Sequence, residues 1–110
     1  MDMRGHLDLL LLSVLDDIGP VHGYAVITAL RDRSAGTFDL PEGTVYPALQ
    51  RLERAGLVVS NWDETSPRRR RIYQVTAEGR AARAAKKREW SGFVLGVQAV
   101  IGPLATGRIA

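Results

Sequence analysis

Asp39-Leu-Pro-Glu-Gly-Thr-Val-Tyr-Pro-Ala-Leu-Gln-Arg-Leu-Glu-Arg-Ala-Gly-Leu57 is the stretch on which the reading of the whole chain turns. Val45, Ala48, Leu49 and Leu52 recur at helical spacing, which predicts a helix from about Gly43 to Ala55 with one buried face. Thr44, Tyr46, Gln50, Arg51 and Arg54 then point away, giving a polar, aromatic and basic outer face. Gly56 supplies the left-handed residue that ends such a helix, and Leu57-Val58-Val59 starts a strand with almost no loop between. A helix that runs straight into a hairpin predicts a winged helix. Pro47 would cost roughly 3 kcal/mol in a helix interior, but less in or just past the first turn, where most amides lack an internal partner. Those opening amides, with Thr44 and Tyr46, make a docking surface for phosphate. The same residues also suit an ordinary capped amphipathic helix, and the helix alone leaves both readings open.

Working outward, Leu57 to Asp63 and Arg70 to Val75 read as two strands, with Val58, Ser60 and Trp62 on one face of the first and Arg71, Tyr73 and Val75 on one face of the second. The tip between them carries the turn residues and ends in Arg68, Arg69, Arg70 and Arg71. Four consecutive arginines have no place in a hydrophobic core, and a solvated charge run more often mixes signs. On a wing they are placed to grip phosphates or enter the minor groove. Trp62 reads as a structural cross-strand aromatic covering the sheet.

The run from Glu42 to Leu57 resembles the recognition-helix signature of the PadR family of transcriptional regulators. His22-Gly23-Tyr24 at the start of the preceding helix, Arg70-Arg71-Ile72-Tyr73 in the second wing strand and Val75-Thr76-Ala77-Glu78-Gly79 after it match the same family in order and spacing. The resemblance covers about Leu9 to Arg88. It implies that the helices from Gly23 and from Gly43 form a helix-turn-helix, the first crossing the DNA backbone and the second entering the major groove. The short C-terminal part resembles a small subgroup that dimerises through one long helix, to which multidrug-binding repressors belong.

The first helix should span about Met3 to Asp17, and Leu7, Leu9, Leu10, Leu11, Leu12, Val14 and Leu15 make it apolar on nearly every side. Such a helix must be covered on two faces, one by the winged-helix core and the other by a second subunit; a single deeply buried core helix is the competing reading. Ile18-Gly19-Pro20 breaks it, and Val21-His22-Gly23-Tyr24 leads into a second helix closed by Arg31, Asp32 and Arg33. Phe38 and Leu40 should pin the next loop to the core. His22 reads as a capping or packing residue rather than a ligand or catalyst. Tyr24 either reaches a phosphate through its hydroxyl or packs its ring on the core with the hydroxyl wet.

Thr76 is a good cap for a long last helix, with Glu78 in its first turn, continuing through Trp90, Phe93, Val94, Val97, Val100 and Ile101 until Gly102-Pro103. Gly79, Gly92 and Gly96 weaken it by about 1 kcal/mol each relative to alanine, so packing must compensate. Trp90 matches the tryptophan of the multidrug-binding members. That match implies an effector or dimer pocket from Leu9, Ser13, Trp90 and Val94, where a planar aromatic molecule slides between two symmetry-related indoles. Trp90 filling the dimer core without a ligand is the alternative.

The chain's 110 residues hold 15 Lys and Arg against 12 Asp and Glu, a net charge of +3 that favours a polyanionic partner. There is no cysteine for a disulfide, a thiolate nucleophile or a thiolate metal site. Leu9 to Leu12 is flanked by Asp8, Asp16 and Asp17 and does not read as a signal peptide, and Phe93 to Ala105 falls short of the ~20 residues that span a bilayer. With two histidines and no paired nucleophile, no enzyme, cofactor or metal site is expected. The sequence therefore predicts a mainly α protein with a small β-hairpin. Residues 1–76 form a winged helix-turn-helix DNA-binding domain including the N-terminal helix, and 77–110 a C-terminal dimerisation helix and tail. The expected function is a cytoplasmic, homodimeric, ligand-responsive repressor on double-stranded DNA with a pseudo-palindromic operator. Tyr24, Thr44, Tyr46, Pro47, Gln50, Arg51 and Arg68 to Arg71 are its DNA-binding residues. A winged-helix module that binds protein instead is the alternative.

Overall fold

The computed structural model describes residues 3–103; the tail beyond Pro103 lies outside the described residues. Its elements are α1 (Met3–Ile18), β1 (Val21–His22), α2 (Gly23–Arg33), α3 (Glu42–Arg54), β2 (Val58–Trp62), β3 (Arg71–Val75) and α4 (Ala77–Ile101). The strands form one antiparallel sheet in the order β1-β3-β2. The expected hairpin is there as β2 and β3, and β1 adds a strand that the sequence did not reveal. Val21 pairs with Tyr73 and His22 with Ile72, making a third strand at the sheet edge. A two-residue strand following Pro20 is too short to carry any alternation, so only the pairing reveals it.

The core is where α1, α2, α3 and the sheet converge. Leu11, Leu12 and Leu15 of α1, Val26 and Leu30 of α2, Val45, Leu49 and Leu52 of α3, and Val58 and Tyr73 of the sheet are all buried. The second half of α1 is thus enclosed within one chain, against the expectation that a partner would cover its far side. Its first half differs: Leu7, Leu9 and Leu10 remain only partly buried.

Helix α3 begins at Glu42, one residue earlier than the pattern indicated, with the Pro41 carbonyl accepting from the amides of Thr44 (3.0 Å) and Val45 (3.1 Å). Pro47 falls just past the first turn on the exposed side. The bond it cannot donate would have run to the carbonyl of Gly43, itself exposed, so water replaces it and the cost stays small. At the other end Gly56 adopts φ 79°. The Leu57 amide reaches back to the Leu52 carbonyl at 3.0 Å and the Gly56 amide to Glu53 at 3.0 Å, a double closure that turns the chain into β2 within two residues.

Thr76 caps α4 as its position predicts: its hydroxyl accepts from the Gly79 amide at 3.0 Å and donates to the Gly56 carbonyl at 2.8 Å. Gly79 has a further role that its helix propensity conceals. A Cβ there would collide with the Leu57 carbonyl oxygen and lie 2.6 Å from Val75 Cγ2. Along the next turns Arg83 donates from Nε to Ser13 Oγ at 3.0 Å and stands 3.6 Å from Asp16, fastening α4 to α1. α4 continues along α1 as far as Trp90, which meets His6, and the molecule measures 51 × 28 × 22 Å.

Two backbone positions give opposite expectations. Gly79→Ala should lower stability by about 2 kcal/mol or more although alanine is the better helix former, because backbone rather than a flexible side chain fills the space. Ala35, exposed at φ 51°, should gain about 0.5–1 kcal/mol on Ala35→Gly. Thermal unfolding of both variants beside the wild type checks the two signs.

Candidate nucleic-acid interface

A helix can present to DNA only what the fold leaves uncommitted, and on α3 the commitments are specific. Thr44, Pro47 and Gln50 are exposed along one face. Arg51 is not among them, a correction to its expected outward direction. Its guanidinium forks onto Asp8 of α1, with Nη1 2.9 Å from Oδ2 and Nη2 2.8 Å from Oδ1, and Asp8 is 7% exposed. The physical reason is Asp8 itself, a carboxylate among the leucines of α1, which would be left buried without a cation.

Tyr46 is corrected in the same way. It is half-buried, with its ring over Gly23; a Cβ on that glycine would stand 2.6 Å from Cε1 and 3.0 Å from the hydroxyl oxygen. The hydroxyl accepts from the Tyr24 amide in the first turn of α2. Burial and the nearby Glu42 carboxylate push the phenol above its ordinary pKa, while Arg70 at the wing base pulls the other way. The start of α2 and the second turn of α3 therefore meet at Tyr46, with Arg70 of the wing base near enough for its charge to act there. Tyr24, 57% exposed, stands beside this junction and is not among the residues packed on the core, against the alternative in which its ring packs there.

On the wing, Arg68, Arg69 and Arg70 are exposed and Arg71 is half-buried. Arg71 turns inward, donating from Nε to Ser60 Oγ at 2.8 Å, and Ser60 donates in turn to Glu53 of α3 at 2.8 Å. Among the described residues Arg68, Arg69 and Arg70 have no carboxylate partner. His22 Nε2 meets Asp63 Oδ2 at 2.9 Å and joins β1 to the wing's first turn. The Asp63 carboxyl is held below the usual carboxylate range by the Thr65 hydroxyl, by His22 and by the Thr65 amide. The sequence marks His22 as a capping or packing residue; it is the N-cap of α2 without a side-chain cap bond, and the Asp63-Glu-Thr65 spacing is the local sign of the aspartate-anchored turn it meets.

The expected effector residues divide. Leu9 and Trp90 line one apolar cleft of about 320 Å³, together with His6, Leu7, Phe38, Leu40 and Thr44. Ser13 is instead held by Arg83, and Val94 sits a turn beyond Trp90 outside the lining. Trp90 is 40% exposed and meets His6 edge-on, with ring centres 5.2 Å apart at 73°. Thr44 therefore borders the cleft as well as the outer face of α3. Among the described residues no cluster of three or more His, Cys, Asp or Glu can hold a metal, and no helix is long and apolar enough to cross a membrane.

The model of the transcriptional regulator PadR-like family matches residues 11–85. The chain is 41% identical over 81 residues to transcriptional regulator Rv3488 of Mycobacterium tuberculosis, covering 71% of this chain and 73% of that one. Among solved structures, a transcriptional regulator from Clostridium thermocellum superposes with a TM-score of 0.81 at 30% identity, covering 90% of this chain and 96% of that one. A PadR family transcriptional regulator from Eggerthella lenta gives 0.79 at 32% identity, covering 92% and 86%.

The neighbours Gln50 and Arg51 should separate in a stability measurement. Arg51→Ala strands the Asp8 carboxylate and should cost about 2 kcal/mol, less than a fully enclosed pair because the guanidinium is partly solvated. Gln50→Ala should stay within about 0.5 kcal/mol of wild type. Urea unfolding of both variants checks the contrast.

Proposed function

We propose that this chain, which belongs to the PadR-like family of transcriptional regulators, is a repressor that acts as a homodimer on a pseudo-palindromic operator and answers to a planar aromatic effector. As a family member it is a DNA-binding regulator; the repressor role, the dimer and the effector are our reading, as is a cytoplasmic location. The observation that carries it is the junction at Tyr46. There the exposed face of α3, the first turn of α2 and a wing bearing three arginines without carboxylate partners stand together.

In this reading residues 1–76 hold the DNA and 77–110 pair the protomers. Thr44, Pro47 and Gln50 enter the major groove, and Gln50 has the amide that matches adenine in a bidentate pair. Tyr24 and Tyr46 approach phosphate through their hydroxyls, Tyr46 keeping its own hydrogen to donate. Arg68, Arg69 and Arg70 reach the backbone beside them, while Arg51 and Arg71 fix α3 and the wing from behind. The dimer reading rests on α4, where Phe93 (47% exposed), Val100 (84%) and Ile101 (69%) are uncovered in a single chain. The effector reading rests on the cleft beside Trp90, whose apolar lining and lack of a carboxylate favour a neutral planar molecule over a cation. The protein-binding alternative would call for apolar or mixed-sign residues on the wing, and Arg68 to Arg70 are neither.

Log affinity for operator DNA should fall with log salt at a slope of about −0.9 per phosphate contacted. Arg70→Ala should weaken operator and scrambled duplexes alike, whereas Gln50→Ala should erode discrimination by about 1–3 kcal/mol. Titration of both duplexes at several salt concentrations tests this, and absence of binding at low salt would favour a protein partner.

Planar aromatic compounds should quench Trp90 emission in a Trp62→Phe background and release the operator. If none does, or if Trp90→Ala keeps ligand affinity while breaking the dimer, Trp90 is structural.

A further inference from the structure

Trp62 is left without a structural explanation by the fold. It ends β2 with 47% of its surface exposed and takes no part in the buried core. What it does touch is charge: the Arg69 guanidinium carbon lies 4.5 Å from the centre of the indole and that of Arg71 4.7 Å from it. Arg71 faces Trp62 across the β2–β3 ladder and is tied down by the Ser60 hydroxyl, with Glu53 at 3.9 Å. Arg69 is different. Among the described residues it has no carboxylate partner, and its guanidinium lies over the ring.

We propose that Trp62 is a positioning residue of the DNA interface, holding the Arg69 guanidinium in the pose in which it meets a backbone phosphate. The inference rests on the DNA-binding reading above and adds to it a residue that the sequence marked as sheet cover. A guanidinium on an aromatic face keeps its N–H edge free for an anion. An arginine already held loses less conformational freedom when it binds than one that sweeps through solvent. The charge balance points the same way. Two guanidiniums share one ring, Glu53 answers part of the charge of Arg71, and nothing in the described chain answers Arg69, so the patch is short of one anion. A phosphate on the wing side of the duplex supplies it.

A double-mutant cycle on DNA affinity tests the proposal, with Trp62→Leu keeping an apolar cover and Arg69→Ala removing the cation. Trp62→Leu should weaken operator and scrambled duplexes equally, by about two- to fivefold, the range expected of an exposed cation–π contact. It should also make the salt dependence shallower by about 0.9, one phosphate's worth. The double variant should bind no worse than Arg69→Ala alone, and Trp62→Phe should restore most of the loss. Additive losses, or a Trp62→Leu protein that binds as wild type does, overturn the proposal. A second measurement leaves Trp62 in place: in a Trp90→Phe background, where Trp62 alone reports, operator should change the tryptophan emission, and adding Arg69→Ala should abolish that change. Persistence of the change in Arg69→Ala overturns it too. Failure of the wild type to bind operator at low salt would instead sink the DNA-binding reading itself.

Discussion

The Leu57 carbonyl is the point on which the geometry of this fold depends. It accepts from the Thr76 amide at 3.0 Å, while the first turn of α4 passes so close that Gly79 has no room for a Cβ. The Thr76 hydroxyl bonds the Gly56 carbonyl one residue earlier. The end of α3, the start of β2, the end of β3 and the start of α4 are thus locked together within a few ångströms. Each of these elements carries a different part of the proposed activity: α3 reads, β2 and β3 carry the wing, and α4 pairs the protomers. Their mutual angles follow from backbone contacts at one junction, which side-chain substitutions on the outer faces leave untouched.

What the sequence made legible was local. The buried positions of α3, its stop at Gly56, the cap at Thr76 and the end of α4 at Gly102 are each decided within a turn or two, where spacing and backbone preference act directly. What it concealed was long-range. Arg51 and Asp8 are 43 residues apart, His22 and Asp63 are 41 apart, and Arg83 and Ser13 are 70 apart. Periodicity reports which positions are covered but not by what, so a polar residue next to a buried stripe reads as exposed until its partner is known. Arg51 shows the cost, since its place in the pattern suited a groove contact as well as an ion pair. β1 escaped for another reason, being too short to have a period.

The arginines illustrate how context divides one residue type. Arg71 and Arg51 spend their charge inside the fold, on Ser60, Glu53 and Asp8, and hold the sheet and α1 to α3. Arg68, Arg69 and Arg70 sit on the wing turn, with the Asp63 anchor and the Trp62 ring shaping its base. A buried or half-buried cation must find an anion in its own chain, whereas an exposed one in a cluster repels its neighbours and lowers that repulsion by meeting an external anion. Position in the fold therefore separates supporting arginines from those left open to an external anion more sharply than their consecutive numbering does.

The same α1 segment touches both α3 and the cleft, and that adjacency would give the proposed effector a physical means of acting on α3. Leu7 and Leu9 line the cleft, and between them in sequence is Asp8, the anchor of Arg51 on α3. Thr44, in the first turn of α3, borders the cleft from the other side. A molecule seated beside Trp90 would therefore press on α3 at its start and, through Asp8 and Arg51, at its third turn. It would alter DNA affinity only insofar as it binds more tightly when α3 is displaced from its DNA-bearing pose, and by linkage operator DNA would weaken the ligand by the same factor. Such a coupling would run within one protomer over neighbouring contacts, so it would not require the two indoles of a dimer to face each other.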